Sequence, residues 1–217
     1  MGRPLAVAAT FLLLAACGRE PEGPPWQYPP GDAKATFEKI PLDELVARWK
    51  SLPKEKSKYS LHGTYAEAIG LHGEKAAHAV PLLEPYVTDE KEQTLRQAAM
   101  KGLAGIGAPG VPPLVRALRH KAGDDGQVML RWDAAMALAT IGPSAAAAIP
   151  DLEACLLDPR ENVNTKGDAA QALVKIGPAA KDSLTRAREW YYAQKGGLSP
   201  GDTAVLRAIN TGLAGLR

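Results

Sequence analysis

The sequence predicts an all-α fold, an α-solenoid of about five antiparallel helix pairs. A phrase of helical residues ending in glycine occurs four times, and its final glycines are Gly73, Gly107, Gly142 and Gly177, spaced 34, 35 and 35 residues apart. Small or apolar residues recur four, seven and eight positions before each glycine, which marks one apolar helical face. No segment after Thr36 has a convincing strand pattern, and a helical period in the thirties is typical of stacked helical hairpins.

The first 16 residues have the organisation of a signal peptide. Arg3 gives a short positive region, and residues 5–16 form an apolar run too short to span a bilayer. Small residues then precede Cys17 in the tetrapeptide LAAC, residues 14–17. The segment resembles a bacterial lipoprotein signal, and this resemblance implies acylation of Cys17 and removal of residues 1–16. The alternative is an ordinary secretory signal that happens to contain a cysteine.

Residues 17–35 are expected to be a lipidated cysteine followed by an extended tether. Five prolines and three glycines occur within residues 18–35, a composition that precludes a helix or a central strand. At about 3.1 Å per residue, such a segment holds the folded domain, residues 36–217, several nanometres from a membrane.

Five helix pairs account for the rest of the chain. The expected outer and inner helices are 42–52 with 60–72, 76–87 with 93–105, 110–120 with 130–140, 145–157 with 165–175, and 179–194 with 203–215. Each repeated glycine ends an inner helix because it adopts positive φ without a Cβ penalty. Prolines near the start of the outer helices suit the first turn, where no intrahelical donor is lost. The last pair departs from the pattern and is expected to form a C-terminal cap.

These phrases resemble HEAT-like repeats of the short type found in phycobilisome lyases. The closest stretches are residues 141–143 (IGP) with 148–152 (AIPDL), and residues 173–178 (LVKIGP). The resemblance covers roughly residues 60–190 and implies the fold strongly. It implies little about function, because the repeat serves many unrelated roles.

A basic or histidine side chain recurs eleven residues before each glycine. These residues are His62, Arg96, Arg131 and Lys166, and acidic residues precede three of them at Asp89, Asp125 and Asp158. One interpretation is the Asp–Arg ladder that HEAT repeats commonly form between neighbours. The other is a basic stripe on the concave face that holds an acidic partner.

The candidate partner-binding residues lie at the N-terminal ends of the inner helices: Arg96, Gln97, Arg131, Trp132 and Lys166. Arginine and tryptophan are enriched at binding hot spots. Trp132 is a hot spot if it is exposed and a packing residue against the loop 121–128 if it is buried, and the sequence leaves both open.

No catalytic residues, metal site or cofactor are predicted. The four histidines lack ligand spacing, and no nucleophile–base arrangement or phosphate loop stands out. Cys155 lies in an apolar helical pattern and is expected to be a small core residue. The mature chain would carry 25 basic and 24 acidic side chains, and this charge of +1 gives no field that attracts nucleic acid.

The predicted function is therefore a non-catalytic, membrane-anchored scaffold that binds a protein or peptide in the bacterial cell envelope. Gly18 after the cysteine favours the outer membrane, facing the periplasm, if the host is Gram-negative. An accessory subunit of an envelope enzyme or secretion assembly is the alternative, and a lyase-like HEAT-repeat enzyme is a third. The last is disfavoured because phycobilin lyases act in the cytoplasm.

Overall fold

The computed structural model describes residues 37, 39–52, 59–89, 92–120, 125–194 and 196–216, with the backbone alone for 59–61 and 125–128. Cys17, the signal segment 1–16 and the tether 17–35 lie outside the described residues. Within the described ranges every regular element is helical. The helices are α1 Leu42–Ser51, α2 Tyr59–Gly70, α3 Val80–Leu83, α4 Gln93–Ile106, α5 Val111–Leu118, α6 Asp125–Ile141, α7 Ile149–Leu157, α8 Val163–Ile176, α9 Lys181–Tyr192 and α10 Pro200–Gly215.

The elements form five helix pairs stacked side by side, and the predicted all-α solenoid is confirmed. Each inner helix packs on the next, in the order α2, α4, α6, α8 and α10. The outer elements α1, α5, α7 and α9 pack on the inner helix of their own pair. We number the repeats one to five by these inner helices. The core is a continuous band of leucine, isoleucine and alanine side chains between the two layers.

The repeated glycines occupy the turns that the spacing predicts. Gly73, Gly107, Gly142 and Gly177 all have positive φ, between 60° and 89°. At Gly107 and Gly177 the backbone N–H donates to the carbonyl of the leucine four residues back, at 3.3 and 3.2 Å. A side chain is strained at such φ values, so these positions require glycine to reverse the chain between helices.

The outer element of repeat two differs from the single helix predicted over 76–87. It consists of a 3₁₀ segment Gly73–Ala79, the short helix α3 and a second 3₁₀ segment Glu84–Tyr86. Pro85 has no backbone N–H, so the α-helical hydrogen bond to the carbonyl of Pro81 cannot form. This interruption ends the α-helix after one turn.

Two inner helices begin at least three residues earlier than predicted. Helix α6 starts at Asp125, so the loop expected over 121–128 is shorter than the sequence suggests. Helix α10 starts at Pro200, after a cap in which the Ser199 hydroxyl accepts a hydrogen bond from the Asp202 N–H at 3.0 Å. In the last pair Tyr191 is buried, and its hydroxyl donates to the Leu156 carbonyl at 3.3 Å.

Candidate functional site

The first part of the candidate site is a buried polar cluster between repeats two and three. Arg96 is only 2% exposed. Its guanidinium donates to the backbone carbonyl of Asp89 at 3.0 Å and approaches the carboxylate of Asp133 at 3.4 Å. The side-chain amide of Gln97 donates to the other carboxylate oxygen of Asp133 at 3.1 Å. The cluster joins helix α4 to helix α6.

Burial and hydrogen bonding shift the pKa of Asp133 in opposite directions. Burial raises the pKa of this carboxyl above its ordinary value, while the Gln97 hydrogen bond and the Arg96 charge oppose the rise. A carboxylate in this position therefore depends on its two partners from α4. Removing either partner leaves a desolvated charge less compensated.

Arg131 occupies the equivalent position of repeat three and is partly buried. Its guanidinium binds Glu161 through two hydrogen bonds of 2.8 and 3.0 Å, and it also donates to the His120 carbonyl at 3.1 Å. Glu161 in turn accepts from the backbone N–H of Asn162 at 2.9 Å, just before α8 begins. The paired geometry fixes the loop that leads into α8.

Lys166 occupies this position in repeat four and is 4% exposed. Its Nζ lies 3.5 Å from the Asp202 carboxylate and 6.0 Å from the ring centroid of Trp190. Each basic residue of the series therefore meets an acid from the following repeat: Asp133, Glu161 or Asp202.

The structure thus has a ladder of cation–acid pairs between repeats, although its acids differ from those expected. The prediction named Asp89, Asp125 and Asp158, which precede the basic residues in sequence. Asp89 contributes its carbonyl to Arg96, and Asp158 pairs with Arg160 at 3.3 Å. The side chain of Asp125 lies outside the described part. The acids come from the following repeat because the stacked inner helices bring that repeat alongside.

Accessibility divides the five candidate partner-binding residues. Arg96 and Lys166 are buried, so a partner cannot touch them in this arrangement, and a fully exposed basic stripe is wrong for these two. Gln97, Arg131 and Trp132 are partly buried and keep an accessible edge. For Trp132 the structure lies between the two interpretations that the sequence leaves open.

The exposed surface of the inner helices has an apolar centre. Met136, one turn after Trp132 on α6, is 46% exposed. At the same register in repeats one and two, Glu67 and Lys101 form an exposed pair at 3.3 Å. At this register the inner helices therefore change from a charged pair in the first two repeats to an apolar side chain in the third.

Asp168 of α8 is a candidate that the sequence analysis did not identify. It is partly buried, and burial alone raises the pKa of its carboxyl. In the part of the chain that the structure describes, it has no hydrogen bond or ion pair. The signal that identifies it is positional: Asp168 stands nine residues before Gly177, as Asp133 stands nine before Gly142.

His62 and Cys155 are buried in the helical core. His62 is buried with its ring edge against Trp49 at 5.1 Å between centroids. Across the described ranges, no group of three or more His, Cys, Asp or Glu side chains comes together as a potential metal site. Cys155 is buried as expected, and burial with the nearby Glu161 raises the pKa of its thiol to about 12. The thiol therefore stays protonated at neutral pH.

One helical run among the described residues, Met129–Leu157, is long and apolar enough to cross a membrane. The chain turns within it at Gly142, where φ is 67°. The run comprises most of α6, the 3₁₀ segment Gly142–Ala148 and all of α7, and 44% of its most apolar stretch is buried in the fold. Core helices of a repeat protein have the same composition.

Comparison with known proteins finds a repeat family that is similar to part of the chain. The family model described as PBS lyase HEAT-like repeat matches residues 95–120 and 130–158. No curated protein matches the chain. A crystal structure of an engineered protein is similar, with a TM-score of 0.45 and 20% identity over 83% of this chain and 90% of that one. The matched segments coincide with α4 and α5, and with α6 and α7.

Proposed function

We propose that this HEAT-like repeat protein is a non-catalytic, membrane-anchored scaffold that binds a protein or peptide in the bacterial cell envelope. The observation that carries the proposal is the division of polar groups across the stack. The ladder cations are directed at acids of neighbouring repeats, whereas the side chains of the partly buried Trp132 and the exposed Met136 have no polar or aromatic partner within the described chain. A stacked solenoid offers a long inner surface for its size, and this surface has an apolar centre.

The anchor is inferred from the sequence. The LAAC tetrapeptide places Cys17 where a lipoprotein cysteine stands, and residues 18–35 supply a tether. Two acyl chains give durable membrane binding, whereas a single chain gives only marginal binding. Gly18 favours the outer membrane of a Gram-negative host.

The absence of catalysis is part of the proposal, and Cys155 supports it. This thiol is the one described cysteine, and its raised pKa makes it a poor nucleophile. The buried charges are paired between repeats in a way that stabilises the stack. We therefore assign the polar ladder to stability and the inner face around Trp132 to binding.

The anchor is tested by metabolic labelling with a fatty acid in the native host. The chain should incorporate the label, and Cys17→Ser should abolish both incorporation and membrane retention. Cys155→Ser is the matched control and should keep both. Unchanged labelling of Cys17→Ser would show that lipid is not attached there.

The binding face is tested by photocrosslinking in intact membranes. A photoreactive amino acid in place of Met136 should yield a defined protein adduct, whereas one in place of Tyr192, which is 66% exposed on the outer layer, should not. Trp132→Leu should reduce the Met136 adduct by at least about tenfold, the effect of a hot-spot residue. Equal adducts from both positions, or no adduct from Met136, would contradict the proposed binding face.

A further inference from the structure

The inner helices meet through a repeated pair of positions. Position −10, counted back from the repeat glycine, contacts position −9 of the next repeat. In repeats one and two these are Gly63 and Ala98, and a Cβ on Gly63 would lie 3.1 Å from the Ala98 Cβ. In repeats two and three they are Gln97 and Asp133, joined by a hydrogen bond of 3.1 Å.

In repeats three and four the same two positions carry Trp132 and Asp168. These two residues therefore hold the equivalent positions at the junction of α6 and α8. Neither side chain has a hydrogen bond, ion pair or ring contact elsewhere in the described chain. The cation of this repeat, Arg131, is held by Glu161 and does not neutralise Asp168.

A partly buried carboxylate without a counter-charge is a candidate for contact with a ligand. Burial is the one cause that raises the pKa of Asp168, and no neighbouring cation opposes it. Perturbed groups of this kind concentrate at binding sites. The exposed Met136 on the same face adds an apolar surface that suits an aliphatic chain.

We propose that the junction of α6 and α8 binds a lysine or arginine side chain of a protein partner. The cation lies against the indole of Trp132 with its charge facing Asp168, and its aliphatic stem packs on Met136. Aromatic faces attract such cations, and the carboxylate supplies the opposite charge. This inference rests on the proposed function, since it names the chemistry by which the scaffold would recognise its partner.

A peptide cation suits this site better than a lipid headgroup does. The ammonium of a phospholipid carries a phosphate two carbons away, and that negative charge would be repelled by Asp168. A lysine or arginine instead follows its cation with three or four methylene groups. The site therefore favours a basic side chain on a protein.

The test uses the full chain in detergent micelles and follows the indole N–H signals of its tryptophans by NMR. The probe is a capped glycine–lysine–glycine tripeptide, and the signal of Trp132 is assigned by its loss in Trp132→Leu. We expect a saturable shift of that signal. Asp168→Asn should weaken binding by about fivefold or more, the effect of a lost ion pair. Asp182→Asn, an exposed acid on α9, should bind as the wild type does.

Three results would overturn the inference. They are an equal shift with the acetyl-lysine tripeptide, unchanged binding in Asp168→Asn, and tighter binding of phosphoethanolamine than of the lysine peptide. Tighter binding of phosphoethanolamine would indicate that the junction of α6 and α8 binds lipid headgroups.

The crosslinking experiment separates this inference from the proposed function. If the Met136 adduct forms and depends on Trp132 but not on Asp168, the scaffold stands and the cation site falls. If the lysine peptide binds but no adduct forms in membranes, the cation site stands and the scaffold proposal falls.

Discussion

The junction of α4 and α6 and the junction of α6 and α8 use equivalent positions differently. At the first, Gln97 donates to Asp133 at 3.1 Å, and Arg96 lies 3.4 Å from the same carboxylate. At the second, Trp132 and Asp168 occupy these positions without a polar partner in the described chain. A carboxylate at one register is thus enclosed by the fold in one repeat and left open in the next.

The position of the ladder cation explains the difference. In repeat two the guanidinium reaches the carboxylate on the next inner helix, whereas in repeat three Arg131 turns to Glu161 in the loop before α8. That choice leaves Asp168 uncompensated. The comparison teaches that a repeat can keep its backbone geometry while one junction stabilises the stack and the next is available for a ligand.

The largest expected effect is on the enclosed junction. Arg96→Met keeps side-chain volume but leaves Asp133 buried without its cation, and we expect unfolding free energy to fall by about 3–5 kcal/mol. Urea denaturation measures it. The control is Arg116→Met, which breaks the exposed pair with Glu84 and should cost no more than about 1 kcal/mol. Similar losses in both variants would show that the ladder cation has no special role.

Alanine substitutions at two glycines compare a closely packed position on an inner helix with an open one. At Gly102 on α4 an added Cβ would lie 2.4 Å from the Ala66 carbonyl oxygen on α2, whereas at Gly167 on α8 it would meet nothing within 4 Å. Gly102→Ala must push the helices apart and should cost about 2 kcal/mol. Gly167→Ala should stabilise the chain by up to about 1 kcal/mol through helix propensity. Thermal unfolding of the two variants in opposite directions would confirm the contrast, and equal effects would contradict it.

A substitution at Gln97 measures how much an uncharged hydrogen-bond donor contributes to the stability of the junction of α4 and α6. Gln97→Ala removes a hydrogen bond to a buried carboxylate, and we expect unfolding free energy to fall by about 1.5 kcal/mol. Gln171→Ala, at an exposed position of α8, is the control and should change it by less than about 0.5 kcal/mol. If denaturation gives the same value for both, the Gln97 contact does not contribute to stability.

The regular part of the fold could be predicted because it depends on local patterns. The glycine spacing predicts the register of the first four pairs, since a turn that needs positive φ excludes other residues. The interruption at Pro85 could also have been predicted, because the missing donor is visible in the sequence. The early start of α10 depends on the Ser199 cap.

The candidate site was less predictable because partner choice depends on three-dimensional stacking. Sequence proximity suggests Asp89 for Arg96, but Arg96 also reaches the carboxylate of Asp133 on the next inner helix. Asp168 has no cation partner in the described chain because Arg131 binds Glu161 instead, and no local sequence pattern indicates that pairing. Register alone identifies Asp168 as the equivalent of Asp133, and the side-chain contacts then distinguish the two.

The most direct test is the unfolding free energy of Asp168→Asn relative to the wild type across pH. Burial raises the folded-state pKa of Asp168 above the unfolded value of about 3.9, so ionisation lowers wild-type stability as pH rises through this window. Asparagine cannot ionise. We predict that the variant is at least as stable at neutral pH, by up to about 0.5 kcal/mol, and that the difference vanishes below about pH 4. A variant less stable than the wild type by more than about 1 kcal/mol at neutral pH would contradict the account, because Asp168 would then have a stabilising partner within the fold.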